Sequence, residues 1–212
     1  MSSDMKNKIK NRNIADGFRL LSCLAGIFTI VIGVLVLTGW VFNIAVFKSV
    51  LPRWVAMAVN TAITFIFSGI ALLARQEHAK PGWQWFGRIL AFLVFGIGFL
   101  ILLEYVLDFY LGIEGLLLRA EEMTGLYPGR MAPITSVNFI LTGVALLFIQ
   151  HRRAKIHQML ALILFGISWV AVIGYLYDVE SLYRVTPYVS IAFHTALTFL
   201  VMSLGIFFTR PS

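Results

Sequence analysis

Hydrophobic positions along this chain gather into long unbroken runs rather than alternating ones. Six runs stand out, at 20–42, 55–74, 89–110, 131–150, 156–177 and 189–209. Each holds about 20 mostly apolar residues, the length a helix needs to cross a hydrocarbon core. Transmembrane β-strands are shorter, about 9–11 residues, and alternate in polarity. The pattern therefore predicts an all-α integral membrane protein with six transmembrane helices. A basic segment over 1–16 precedes a membrane domain over 17–212.

The runs are not independent of one another. The second reads Met57-Ala-Val-Asn60-Thr61-Ala62, then Thr64-Phe65, Ser68-Gly69 and Ala71-Leu-Leu73. The fourth matches it without a gap: Met131-Ala-Pro-Ile134-Thr135-Ser136, Asn138-Phe139, Thr142-Gly143 and Ala145-Leu-Leu147. The sixth follows with His194-Thr195-Ala196 and Thr198-Phe199. Among the odd runs, Phe95-Gly96-Ile97 parallels Phe165-Gly166-Ile167. Each odd run ends on an aromatic residue with Asn or Asp three positions later: Trp40 and Asn43, Tyr105 and Asp108, Tyr175 and Asp178. The expected architecture is three repeated two-helix hairpins, over about 17–75, 87–150 and 156–209, all in one orientation. Transporters with inverted repeats need halves of opposite topology, and two-helix units cannot supply them. Small residues at Ala62 and Gly69, Ser136 and Gly143, and Ala196 and Ser203 recur two turns apart, which suits close helix contact in lipid.

Charge refines this picture. The chain is 59% hydrophobic and only 13% charged, with a net charge of +7. Soluble domains carry about 25% charged residues, so a soluble enzyme is excluded, and the single cysteine, Cys23, excludes a disulfide scaffold. Most basic residues fall in the N-terminus, the second-to-third and fourth-to-fifth connections, and the C-terminus. The positive-inside bias then puts both termini in the cytoplasm, with a bacterial inner membrane as the expected location. Seven of the ten acidic residues lie toward the other face. The basic charge is thus a topological marker that also attracts anionic lipid, and nucleic acid is not an expected partner.

The stretch Pro128-Gly129-Arg130-Met131-Ala132-Pro133 with Thr135-Ser136 and Gly143-x-Ala145-Leu146-Leu147 resembles the multi-spanning N-terminal sensor region of bacterial sensor histidine kinases. Similar regions precede PAS and diguanylate-cyclase modules. Leu182-Tyr183, Pro187-Tyr188 and Ala192-Phe193-His194-Thr195-Ala196-Leu197 resemble the last helix of that region. Ile134 and Asn138 depart from its Asn-Thr-Ala pattern. The resemblance implies a sensor module of a two-component or related signalling system. Its partners would be membrane lipids, a cytoplasmic kinase or cyclase module, and a second copy of the chain. Catalysis would belong to a downstream domain.

The polar groups inside the runs are few. Glu104 lies about four residues inside the outer boundary, with Asp108 one turn on. Such a carboxylate either binds a cation or proton, or bonds to a neighbouring helix. His194 lies one turn into the sixth run. The candidate sensing set is Glu104, Asp108, Asp178, His194, Asn60, Tyr105 and Tyr175, around an outer pocket. Asp108 and Asp178 have an alternative role as helix terminators. His194 and Glu104 are weak metal candidates, and the sequence assigns no particular cofactor. His151 and His157 read as part of a solvated basic loop with Arg152, Arg153 and Lys155. Tyr110, Tyr183 and Tyr188 fit an interfacial aromatic belt. The connection over 111–130 reads as an amphipathic helix on the outer surface. No run holds the lysine of a retinal Schiff base, and the sequence has no P-loop, G-x-S-x-G, H-E-x-x-H or C-x-x-C-H motif. The alternatives to a sensor are a small transporter or channel, or a haem- or quinone-binding membrane protein.

Overall fold

The computed structural model describes residues 3–49, 54–76, 79–109, 130–150, 155–179 and 190–209, with side chains from 14 onward. All regular structure among them is helical. The elements are α1 (Ser3–Val41), α2 (Ala45–Lys48), α3 (Val59–Ala74), α4 (Pro81–Val106), α5 (Pro133–Phe148), α6 (Lys155–Leu176) and α7 (Phe193–Phe207). The amphipathic connector expected over 111–130 falls almost wholly outside the described residues, as do Tyr110, Tyr183 and Tyr188.

Three helices are long and apolar enough to cross a membrane: Ile14–Val41 within α1, then α4 and α6. The other three are apolar but shorter, at 16, 16 and 15 residues. A rise of 1.5 Å per residue gives these about 22–24 Å, less than the runs of 55–74, 131–150 and 189–209 suggest. Their late start has a local cause. Ala58, Ala132 and Ala192 hold extended ψ angles of 151°, 146° and 148°, so the apolar run is spent partly in extended chain before each helix begins. Pro133 then fits the first position of α5, where its missing N–H leaves no bond unmade.

Each long helix packs against the shorter one that follows it: α1 on α3, α4 on α5, α6 on α7. The pairs join through α3 with α4 and α5 with α6, and α7 against α1 closes the ring. The short helices form the inner layer and touch one another. At their common axis the rings of Phe65, Phe139 and Phe199 meet pairwise at 4.9, 4.7 and 4.8 Å, all fully buried. Tilted and edge-on aromatic pairs add about 0.5–1.5 kcal/mol each beyond burial. The three residues are those that the ungapped alignment places together. Outward, Leu24, Ile27, Phe92, Phe99, Leu162 and Trp169 are exposed. Apolar surface on that scale suits lipid, not water.

Small residues set how closely the layers approach. A Cβ added to Gly69 would lie 2.6 Å from the carbonyl oxygen of Gly26, and one on Gly143 would lie 2.6 Å from the backbone nitrogen of Phe95. Here backbone meets backbone, and no side chain can yield. Gly96, by contrast, faces open space. Gly143→Val is therefore expected to destabilise the detergent-solubilised protein by about 1–3 kcal/mol or more, while Gly96→Val leaves its unfolding curve in place. Equal curves for the two variants would show that α4 and α5 do not depend on this contact.

Candidate functional site

The two ends of the bundle differ chemically. One end collects the C-terminal ends of α1, α4 and α6 and the N-terminal ends of α3, α5 and α7; this is the aromatic end. There Trp40 donates from its indole N–H to the carbonyl of Met57 at 2.9 Å, and the Tyr105 hydroxyl donates to that of Met131 at 3.0 Å. The Tyr175 hydroxyl donates to the carbonyl of Ile191 at 2.7 Å. Each bolts the end of a long helix to the extended chain leading into its partner. Three positions later the backbone turns left-handed, with φ of 56° at Asn43, 50° at Asp108 and 55° at Asp178. Asn and Asp tolerate this conformation better than other residues with a Cβ. The next N–H then reaches back to close the helix: Ile44 to Gly39 at 2.8 Å, Phe109 to Glu104 at 3.2 Å, Val179 to Gly174 at 2.8 Å. Asp108 and Asp178 thus terminate helices, and both are exposed.

Glu104 is buried on the last turn of α4 and pairs with Arg130, Oε2 to Nη2 at 3.0 Å. The Arg130 guanidinium also lies 3.9 Å from the centre of the Tyr105 ring. Arg130 stands just before α5, so the cluster ties α4 to the start of its partner. In the sequence Arg130 stood out only within the motif that resembles the sensor-kinase region, not as a partner of Glu104. The signal that could have found it was Glu104 itself, because a carboxylate inside an apolar run needs a countercharge, and Arg130 borders the next run.

Asn60 and His194 occupy equivalent places on two different inner helices. Asn60 is the second residue of α3, and its Oδ1 accepts from the backbone N–H of Thr61 at 2.8 Å. His194 is the second residue of α7, 8% exposed, and neither ring nitrogen has a hydrogen-bond partner. Among the described residues no three His, Cys, Asp or Glu side chains come together as a metal site requires. The structure groups Glu104 with Tyr105, and Tyr175 with Trp54 and Phe193, whose rings lie 5.1 and 5.6 Å from its own.

One expectation at the opposite end is corrected. His157 is not solvated: it is fully buried near the start of α6. A helix continuing inward from Lys155 carries it into the bundle. Arg75, a basic residue of the second-to-third connection, is fully buried as well. Its Nε donates to the carbonyl of Leu146 at 3.1 Å, Nη2 to that of Leu147 at 2.9 Å, and Nη1 to Gln150 at 2.9 Å. A guanidinium there satisfies last-turn carbonyls of α5 and complements its dipole. Beside it, Gln76 donates to Ser22 at 2.9 Å, and the Ser22 and Thr209 hydroxyls pair at 2.9 Å. Phe18 stacks on Phe208 at 4.8 Å. This end thus holds a connected group of buried polar side chains, Arg75, Gln76, Ser22 and Thr209 among them.

Comparison of the chain with family models, with curated proteins and with solved structures gives no match. The site must be judged on its own geometry. Removing one member of a buried ion pair leaves a charge uncompensated, at a cost of about 3–5 kcal/mol, whereas replacing both by apolar groups is often neutral. Glu104→Leu and Arg130→Met should each lower the unfolding midpoint, and the double variant should recover most of the loss. Strictly additive losses would mean that the pair is not coupled.

Proposed function

We propose that this chain is a membrane-embedded sensor, or input, module of six spans built as three repeated hairpins. The aromatic end faces outward and both termini face the cytoplasm of a bacterial inner membrane. A stimulus at the aromatic end alters helix packing, and α7 passes the change to a cytoplasmic kinase or cyclase module. The observation that carries this reading is the double attachment of α7. Tyr175 bonds to the chain leading into it at one end, and Thr209, Ser22 and Gln76 tie its other end to α1 and α3. A helix held at both ends by specific bonds transmits displacement rather than absorbing it. The resemblance of Arg130-Met131-Ala132-Pro133 and His194-Thr195-Ala196 to sensor-kinase membrane regions supports the same assignment.

The competing readings find less support. A channel through this bundle would need a path along its axis, where Phe65, Phe139 and Phe199 lie in mutual contact. Among the described residues the histidines are His157 and His194, and a haem ligated by both would need them close together. His157 lies 18 residues before Tyr175 on α6, about 27 Å along the helix, while Tyr175 bonds to Ile191, three residues before His194.

The test is a fusion of the chain to a histidine-kinase output in cells. Glu104→Gln and His194→Ala are expected to shift basal or stimulated phosphorylation severalfold at unchanged protein level. Signalling unaltered in both variants would remove the aromatic end as the receptive one.

A further inference from the structure

The three inner helices begin at the aromatic end without side-chain caps: the N-cap residues are Ala58, Ala132 and Ala192. An uncapped helix start leaves amide donors unmet and carries about half a positive charge, although in α3 the Thr61 N–H is already taken by the Asn60 side chain. These starts converge. Thr61, Thr135 and Thr195 each stand four residues before one of the axial phenylalanines, and residues four apart share a helix face. The threonines therefore surround the same axis one turn closer to the aromatic end, each only 2% exposed.

An independent observation lies beneath them. Asn138, beside Phe139 and three residues after Thr135, is 0% exposed, and neither atom of its amide has a hydrogen-bond partner. A buried amide left unmade costs about 1–3 kcal/mol. In α3 and α7 the matching residues are Thr64 and Thr198, whose hydroxyls close onto the carbonyls of Asn60 and His194 at 2.6 Å. Asn138 does not. Helical side chains lean toward the N-terminus of their helix, which aims this amide at the turn that begins α5. The unbonded imidazole of His194 stands at the start of α7.

We infer that this polar layer above the phenylalanine contact binds a compact oxyanion, a carboxylate or a phosphate group. The start amides of α7 and those after Pro133 in α5, the threonine hydroxyls and the asparagine N–H are the donors on offer. The nearby carboxylate, Glu104, is already paired with Arg130. The apolar floor keeps the local dielectric low, which strengthens each of these contacts. The inference deepens the sensor reading and rests on it for its biological sense. Binding is measured without any output module, however, so failure to bind and failure to signal are separate results.

The full chain, purified in detergent, is titrated with sodium phosphate and with sodium acetate against chloride at matched ionic strength. Thermal unfolding and tryptophan emission are followed, since Trp54 packs 4.7 Å from Phe193 at the start of α7. The expected result is a saturable rise in melting temperature with at least one anion. Binding should be at least tenfold weaker in Asn138→Thr and in Thr135→Val, and unchanged in Ser168→Ala, whose hydroxyl bonds within α6. Asn138→Thr introduces the residue type already present in α3 and α7, so it serves even where Thr135→Val fails to fold. If neither free anion binds but phosphatidylglycerol nanodiscs stabilise the chain in an Asn138-dependent way, the oxyanion is a lipid headgroup. No saturable effect from phosphate, acetate or the lipid, or an equal effect in Asn138→Thr, overturns the inference.

Discussion

Three phenylalanine rings in contact at the axis fix the level of everything around them. Because Phe65, Phe139 and Phe199 meet at one depth, residues at equal offsets from them must also share a depth. The threonines one turn above and the Leu72, Leu146 and Ile206 positions below inherit their placement from that contact. The long helices then follow, since Gly69 and Gly143 admit a neighbouring backbone only in a narrow range of registers. Lipid offers no hydrophobic drive between helices, so such close packing must supply much of the specificity.

Given that register, the treatment of helix ends becomes asymmetric. The C-terminal ends of α1, α4 and α6 are closed by left-handed residues and aromatic bolts, and that of α5 by a buried arginine. The N-terminal ends of the inner helices carry alanine where Ser, Thr, Asp or Asn would serve better. Closing one kind of end while leaving most of the other uncapped, with Asn60 answering only the Thr61 N–H, concentrates donor groups in one layer. That layer sits where the sensor reading places its stimulus.

Much of this was legible in the sequence, for a physical reason. The axial phenylalanines, the small residues and the aromatic-to-Asn/Asp spacing recur because each performs a local task at an equivalent place, and recurrence can be read without coordinates. The unequal helix lengths were not legible, because hydropathy does not distinguish extended chain from helix and Ala58, Ala132 and Ala192 give no capping signal. The burial of Arg75, Arg130 and His157 was not legible for another reason. A positive residue at the border of an apolar run reports which side it is on, but not whether it finds buried acceptors. Arg75 finds them in the carbonyls of Leu146 and Leu147, on a helix more than seventy positions away in sequence.

The inner helices are shorter than the outer ones by a margin that matters for this chemistry. Pro81–Val106 holds 26 residues against 16 in each of α3 and α5, a difference of about 15 Å in length. Gly98, eight residues before the end of α4, packs against the backbone of Ser136, three residues after the start of α5, so α5 begins below the level where α4 ends. A polar layer at that depth is walled by apolar helices on its sides and floored by aromatic rings. Donors there compete with little water, which makes them costly while unfilled and selective once filled. The same depth explains why Glu104 needs Arg130 close by: at the last turn of α4 a carboxylate sits too far in to be solvated, and the chain entering α5 is the nearest segment that can bring it a cation.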